Sequence, residues 1–177
     1  MYVRKQFLPQ YTSTVGYEFL TKEVNIEENV IKLQIWDTVR SEKYNSFYRN
    51  TECCVLVFDL TEPKSFESIE GWRTTFLNQL NPKDPGTFPF VLLGNKCDKQ
   101  SERKVAAEKI KQYCENKSNI TYFETSAKDN TNVEAAFEEV AKLAFKRLLK
   151  EEHEMVIFNG VELKGTNQQT RPQGWCW

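Results

Sequence analysis

The sequence has almost no net charge and almost no histidine. Its 24 basic and 25 acidic side chains leave a formal charge of −1, so no global field draws it to nucleic acid or to an acidic membrane, and partner choice must be local. His153 is the single histidine, and no C-x-x-C pair is matched by a second pair of ligands, which excludes the common zinc spacings. The chain opens Met1-Tyr2-Val3-Arg4-Lys5-Gln6-Phe7, without the apolar core of a signal peptide. No stretch approaches the roughly 20 apolar residues of a membrane span. Of five cysteines, Cys53 and Cys54 are adjacent within an apolar run, where neighbours face opposite ways, and Cys97, Cys114 and Cys176 are scattered. That is poor material for a disulfide framework, and a reducing, intracellular setting is expected. No internal repeat occurs.

What is present fits one globular domain: 177 residues, 40% hydrophobic and 28% charged. Residues 18–26 and 30–37 are β-like runs joined by Glu27-Glu28-Asn29, and Val30 to Trp36 alternates for most of its length. This pattern predicts a hairpin. From Cys53 the character changes, because Cys53-Cys54-Val55-Leu56-Val57-Phe58-Asp59 is nearly all apolar, as a strand covered by helices on both faces must be. Similar strands are expected at about 89–94 and 120–124, with helical periodicity between them. The series is βαβαβα, an α/β fold with a mostly parallel sheet. The first helix is predicted from Ser65 to Leu80 and the second from Ser101. The last follows a Thr131-Asn132-Val133-Glu134 capping box and ends near Lys150. Residues 1–150 then form the domain, and 151–177, polar and without sustained period, form a flexible tail.

Two strand ends carry the chemistry. The second parallel strand runs into Leu93-Gly94-Asn95-Lys96-Cys97-Asp98 and the third into Glu124-Thr125-Ser126-Ala127-Lys128. Loops at carboxyl ends of a doubly wound sheet are where ligands bind. A carboxylate such as Asp98 can accept from the N1 and 2-amino hydrogens of guanine. The Lys96 stem can cover the base face, and a backbone N–H of the Ser126-Ala127 loop can donate to O6. Adenine presents the wrong donors and acceptors. Asn95-Lys96-Cys97-Asp98 alone competes with a plain strand-end turn; paired with Ser126-Ala127-Lys128, about 30 residues on at the next strand end, it points to nucleotide ancestry.

With these motifs the sequence resembles the Ras superfamily and, within it, the Rab family of vesicle-traffic GTPases. Thr14-Val15-Gly16-Tyr17-Glu18-Phe19 is similar to the first switch, and Lys32-Leu33-Gln34-Ile35-Trp36-Asp37-Thr38 to the strand leading into the second. Phe47-Tyr48-Arg49 and Leu56-Val57-Phe58-Asp59 also match. Phe19-Leu20-Thr21-Lys22-Glu23-Val24, Asp84-Pro85 with Phe88-Pro89-Phe90-Val91, and Tyr122 to Lys128 are most similar to the late-endosomal Rab seven subfamily. The resemblance spans about residues 2–150. It implies a Ras-like P-loop GTPase fold and a GTP/GDP switch in late endosome to lysosome traffic. Nucleotide contacts would come from Asn95, Lys96, Asp98, Ser126, Ala127 and Lys128, and Mg²⁺ positions from Thr14 and Asp37. It further implies Rab effectors that contact Phe19, Trp36 and Tyr44, a prenylation escort protein that engages a tail element like Val161-Glu162-Leu163, and a monomer. Lipidation would fall on Cys176, whose penultimate position fits neither a pair of terminal cysteines nor a C-a-a-X box. Membrane attachment is peripheral and depends on that lipid.

The sequence departs from the family at the phosphates. No G-x-x-x-x-G-K-[ST] occurs in the 177 residues, so the glycine-rich turn, the lysine and the Mg²⁺-binding hydroxyl of a P-loop are missing. The strand that carries it lies in the family between residues 30–37 and 53–59, so two sheet edges should be open unless they re-pair or the chain is incomplete. At switch II the family's Asp-x-x-Gly-Gln reads Asp37-Thr38-Val39-Arg40-Ser41; both positions that serve the γ-phosphate and the attacking water are replaced, and no catalytic residue is assigned. Three readings stay open: a switch impaired in hydrolysis, a nucleotide-independent interaction module, and an incomplete gene model of an active switch.

Overall fold

The computed structural model describes residues 2–5, 7, 17–38, 48, 50–118 and 120–158, with backbone alone for 17, 18, 152 and 154–158. Strands β1 (Tyr17–Ile26) and β2 (Asn29–Thr38) form an antiparallel hairpin registered from Tyr17↔Thr38 to Ile26↔Asn29. Its turn is Glu27-Glu28, shorter than expected because Asn29 joins the ladder. Glu27 takes φ 54, the left-handed conformation that two-residue hairpin turns require. Strand alternation sorts the faces. Val24, Ile26, Ile31, Leu33 and Ile35 pack with Val133, Phe137, Ala141 and Phe145 of the last helix. Thr21, Glu23, Val30, Lys32, Gln34, Phe19 and Trp36 are exposed on the other side.

The second sheet is parallel, ordered β3-β4-β5, from β3 (Cys54–Asp59), β4 (Phe90–Asn95) and β5 (Thr121–Glu124). Central β4 is apolar and buried up to its last residue, Asn95, because both its faces are covered. Phe90 and Leu92 join Leu56, Phe58, Ile69, Phe76 and Ile110 on one face. Val91 and Leu93 meet Ala136 and Val140 on the other. Each fully buried Leu or Phe side chain contributes about 1.5–3 kcal/mol. Among the described residues no ladder joins β2 to β3, and the two sheets stay separate. Apolar packing against the last helix, together with the Lys22–Glu134 pair, joins the hairpin to the rest.

Three helix expectations need correction. The predicted helix from Ser65 to Leu80 is two, α1 (Pro63–Glu67) and α2 (Ile69–Leu80). Glu62 accepts from the Lys64 N–H with Pro63 in the first turn, so the start moves upstream, and Ser68, whose hydroxyl bonds back to the Lys64 carbonyl, divides the run. The helix expected at Ser101 is a 3₁₀ segment (Cys97–Glu102), followed by α3 (Ala107–Asn116). The backbone N–H groups of Lys104 and Val105 both donate to Leu60 O, at 3.0 and 3.1 Å, which pins the chain to the end of β3 and delays the helix. Finally, α4 (Val133–Phe158) continues past Lys150. Asn132, not Thr131, caps this helix, its carbonyl accepting from the Ala136 N–H at 3.0 Å, so Glu134 is out of register for the expected capping box; it pairs with Lys22 at 2.7 Å and Lys5 at 3.2 Å, tying the hairpin and the N-terminal residues to α4.

Candidate functional site

Both predicted loops sit side by side at the carboxyl ends of β4 and β5. Parallel pairing sets Gly94 opposite Glu124, so the residues after them emerge together. The backbone continues the ladder briefly: Thr125 N–H donates to Gly94 O at 2.8 Å and Cys97 N–H to Thr125 O at 3.0 Å. Side chains then lock one loop to the other. Asn95 Oδ1 accepts from the Ala127 N–H at 3.0 Å, and the Ser126 hydroxyl donates to Asp98 Oδ1 at 2.7 Å. Ser126 Oγ also accepts from the Asp129 N–H at 3.0 Å, which explains how a serine can be fully buried there. Lys128 is exposed in the turn that follows.

Gly94 is required by space, not by its dihedral angles. A Cβ there would lie 2.6 Å from Tyr122 Oη and 3.1 Å from both Leu60 Cδ2 and Phe58 Cζ. Beneath the loops, Arg103 holds Glu124 through two parallel bonds of 2.8 and 2.7 Å, and its Nε donates to Val105 O. Tyr122 Oη adds a third bond to the same carboxylate at 3.1 Å. The Arg103 bonds outweigh desolvation and hold the Glu124 carboxyl below the usual range. Burial pushes the Cys97 thiol up, so it is a weak nucleophile.

Lys96 takes φ 67, and its Nζ lies 2.7 Å from Asp59 Oδ2 at the end of β3. Burial alone would raise the Asp59 pKa, but hydrogen bonds from Lys96 and from the Thr61 hydroxyl and N–H bring it below the ordinary value. Sequence reasoning did not single out Asp59 or Arg103 as site residues. The legible signal for the first was Asp59-Leu60-Thr61 at a strand end, the spacing of a self-bonded Asx turn. Arg103 had none, since its partner is 21 residues away.

Elsewhere the described residues include only some of the expected positions. Phe19 and Trp36 are register partners, with ring centroids 4.7 Å apart, and are 41% and 39% exposed. Tyr44, the third of that set, lies outside the described residues, as do Thr14, Arg40, Ser41, Cys176 and the Val161-Glu162-Leu163 element. Asp37 is exposed near the end of β2. Among the described residues no group of three or more His, Cys, Asp or Glu side chains could hold a metal. Nor is any helix of the described residues long and apolar enough to cross a membrane.

The geometry can present a carboxylate, a lysine stem and loop amides to a flat polar ligand. The Ala127 N–H is already taken by Asn95, so a ligand oxygen must displace that bond. The Ras family model matches residues 1–146. The Ras-related protein Rab-7a of Paramecium octaurelia is 49% identical over 176 residues, which is 97% of this chain and 84% of that protein. Ras-related protein Rab7 of Cenchrus ciliaris is 47% identical over 181 residues, 99% of this chain and 87% of that one. RABG3f of Arabidopsis thaliana is 48% identical over 174 residues, covering 95% and 84%.

Proposed function

The chain belongs to the Ras family as a Rab7-like small GTPase, and from that premise we propose that it is a guanine-nucleotide-reading regulator of late endosome to lysosome traffic, with weak hydrolysis. The observation that carries the base-reading part is the double lock between the loops, Asn95 to Ala127 and Ser126 to Asp98. It sets the carboxylate and the loop amides at fixed separation before any ligand arrives, which is what recognition of one purine edge needs. Asp98 accepts from the guanine N1 and 2-amino hydrogens. O6 takes the Ala127 N–H over from Asn95, and the Lys96 stem covers the ring. Lys128 flanks the base from the exposed turn.

Base contacts contribute about 1.5–3 kcal/mol per charge-assisted hydrogen bond against an association cost of roughly 4–15 kcal/mol. With no P-loop motif in the 177 residues, affinity depends heavily on this edge. Arg40 and Ser41 in place of the switch II glycine and glutamine lead us to expect slow GTP hydrolysis. Titrating fluorescent GDP and ADP analogues with Mg²⁺ tests the reading. Weak GDP binding, micromolar or poorer, with at least tenfold preference over ADP is expected by the arithmetic of one lost edge contact; no GDP binding up to millimolar concentration refutes it.

A second reading rests on the exposed Phe19–Trp36 pair: a nucleotide-independent module that engages Rab effectors or the prenylation escort protein through its aromatic face. Capture of such a partner that is equal in GTP, GDP and no nucleotide supports it. Capture abolished by removing nucleotide refutes it.

A further inference from the structure

We propose that Asp59 is a positioning residue for the base site, holding Lys96 so that its stem forms a preset apolar plate for a purine; this rests on the base-site reading above. Four observations converge. Asp59 closes β3 directly across the ladder from Asn95, so it stands beneath the first loop. Its carboxylate cannot turn freely, because Oδ1 accepts from the Thr61 N–H at 2.8 Å and the Thr61 hydroxyl at 2.7 Å. Its own N–H donates to Ser65 Oγ at 2.9 Å. What remains is Oδ2, and it meets Lys96 Nζ at 2.7 Å. The lysine side chain therefore runs from the base loop to the end of β3 and is tied at both ends, while half of it stays exposed.

Two consequences follow from chemistry alone. A free lysine stem loses rotamer freedom when a flat ring packs on it, and a stem already tethered loses little. The carboxylate also cancels the ammonium charge locally, so Lys96 offers methylene surface to a base and is a poor independent phosphate ligand. Asp59 thereby shifts recognition from phosphate charge to the base. The substitution Asp59→Asn isolates this effect, because asparagine keeps an Oδ1 acceptor for Thr61 and removes only the charged partner of Lys96.

The test titrates the full chain and D59N with fluorescent GDP, fluorescent ADP and inorganic pyrophosphate, with circular dichroism to verify folding. D59N should bind GDP roughly three- to tenfold more weakly, the cost of ordering one long side chain, and bind pyrophosphate no more weakly than the parent. D59E should recover part of the GDP affinity. In parallel, lysines are reductively ¹³C-dimethylated, and Lys96 is assigned by its loss in K96R. Its signal should stand apart from exposed lysines in the parent and join them in D59N. GDP binding by the parent that D59N leaves unchanged within twofold overturns the role of Asp59 alone, as does a Lys96 signal that already coincides with exposed lysines. A parent chain that binds no GDP overturns the base-site reading, and this role of Asp59 with it.

Discussion

Replacing Gly94 by alanine drives a methyl group into the hydroxyl of Tyr122, 2.6 Å away, with Leu60 and Phe58 closing the other sides at 3.1 Å. Phe58 is 2% and Leu60 1% exposed, so neither can retreat, and the Tyr122 ring must move. That motion breaks its 3.1 Å bond to Glu124, the residue that Arg103 holds beneath the second loop. Overpacking costs about 1–3 kcal/mol, and a hydrogen bond to a charged group about 1.5–3 kcal/mol, so about 2.5–6 kcal/mol is expected in total. At a urea slope of about 2 kcal/mol/M the unfolding midpoint should fall by about 1.2–3 M. The collision involves the hydroxyl, so Tyr122→Phe in the Gly94→Ala background should restore part of the loss. The double-mutant cycle should show a coupling of at least about 1 kcal/mol. Urea unfolding followed by circular dichroism measures all four proteins. A Gly94→Ala variant within about 0.5 kcal/mol of the parent, the spread of ordinary surface changes, or a strictly additive cycle, would refute the reasoning.

Leu92, fully buried at the centre of β4, should cost about 2–5 kcal/mol on truncation to alanine, read from the same urea midpoint. Ser126→Ala removes the hydroxyl that joins Asp98 to the Asp129 N–H; about 1–3 kcal/mol of stability should be lost, and the preference for GDP over ADP should fall with it in a fluorescence titration. Glu124 titrates below its ordinary value because Arg103 bonds to its charged form, so its contribution is complete above the unfolded-state pKa of about 4.3 and is lost as pH falls through the lower folded value. The stability difference between the parent and Glu124→Gln, about 1–2 kcal/mol at neutral pH after allowance for partial exposure, should therefore shrink below about pH 4, as urea midpoints across that range will show.

Much of the fold was legible because its signals are local. The alternation of Val30 to Trp36 and the apolar runs at the three parallel strands follow from which faces are covered, and that is written in residue type. Helix limits were less legible where a distant group decided them. Leu60 O captures the Lys104 and Val105 N–H groups, so α3 starts after the point its composition suggests. Glu134 has the spacing of a capping residue, but the helix starts one residue late, at Val133, and the Glu134 carboxylate bonds to Lys22, 112 positions away.

The sequence by itself determined that two loops, carrying Asn95, Asp98, Ser126 and Ala127, follow consecutive parallel strands, since these residues are recognisable by type, order and strand-end placement. Tertiary structure decided how those loops are held: the Ser126–Asp98 and Asn95–Ala127 locks, the Arg103–Glu124 brace and the Asp59–Lys96 tether all join residues far apart in the chain. It also decided that α4 is the packing surface between the hairpin and the parallel sheet. The physical reason is the same in each case. Periodicity records which faces are buried, whereas the choice of a hydrogen-bond partner depends on a distance that exists only after the chain has folded.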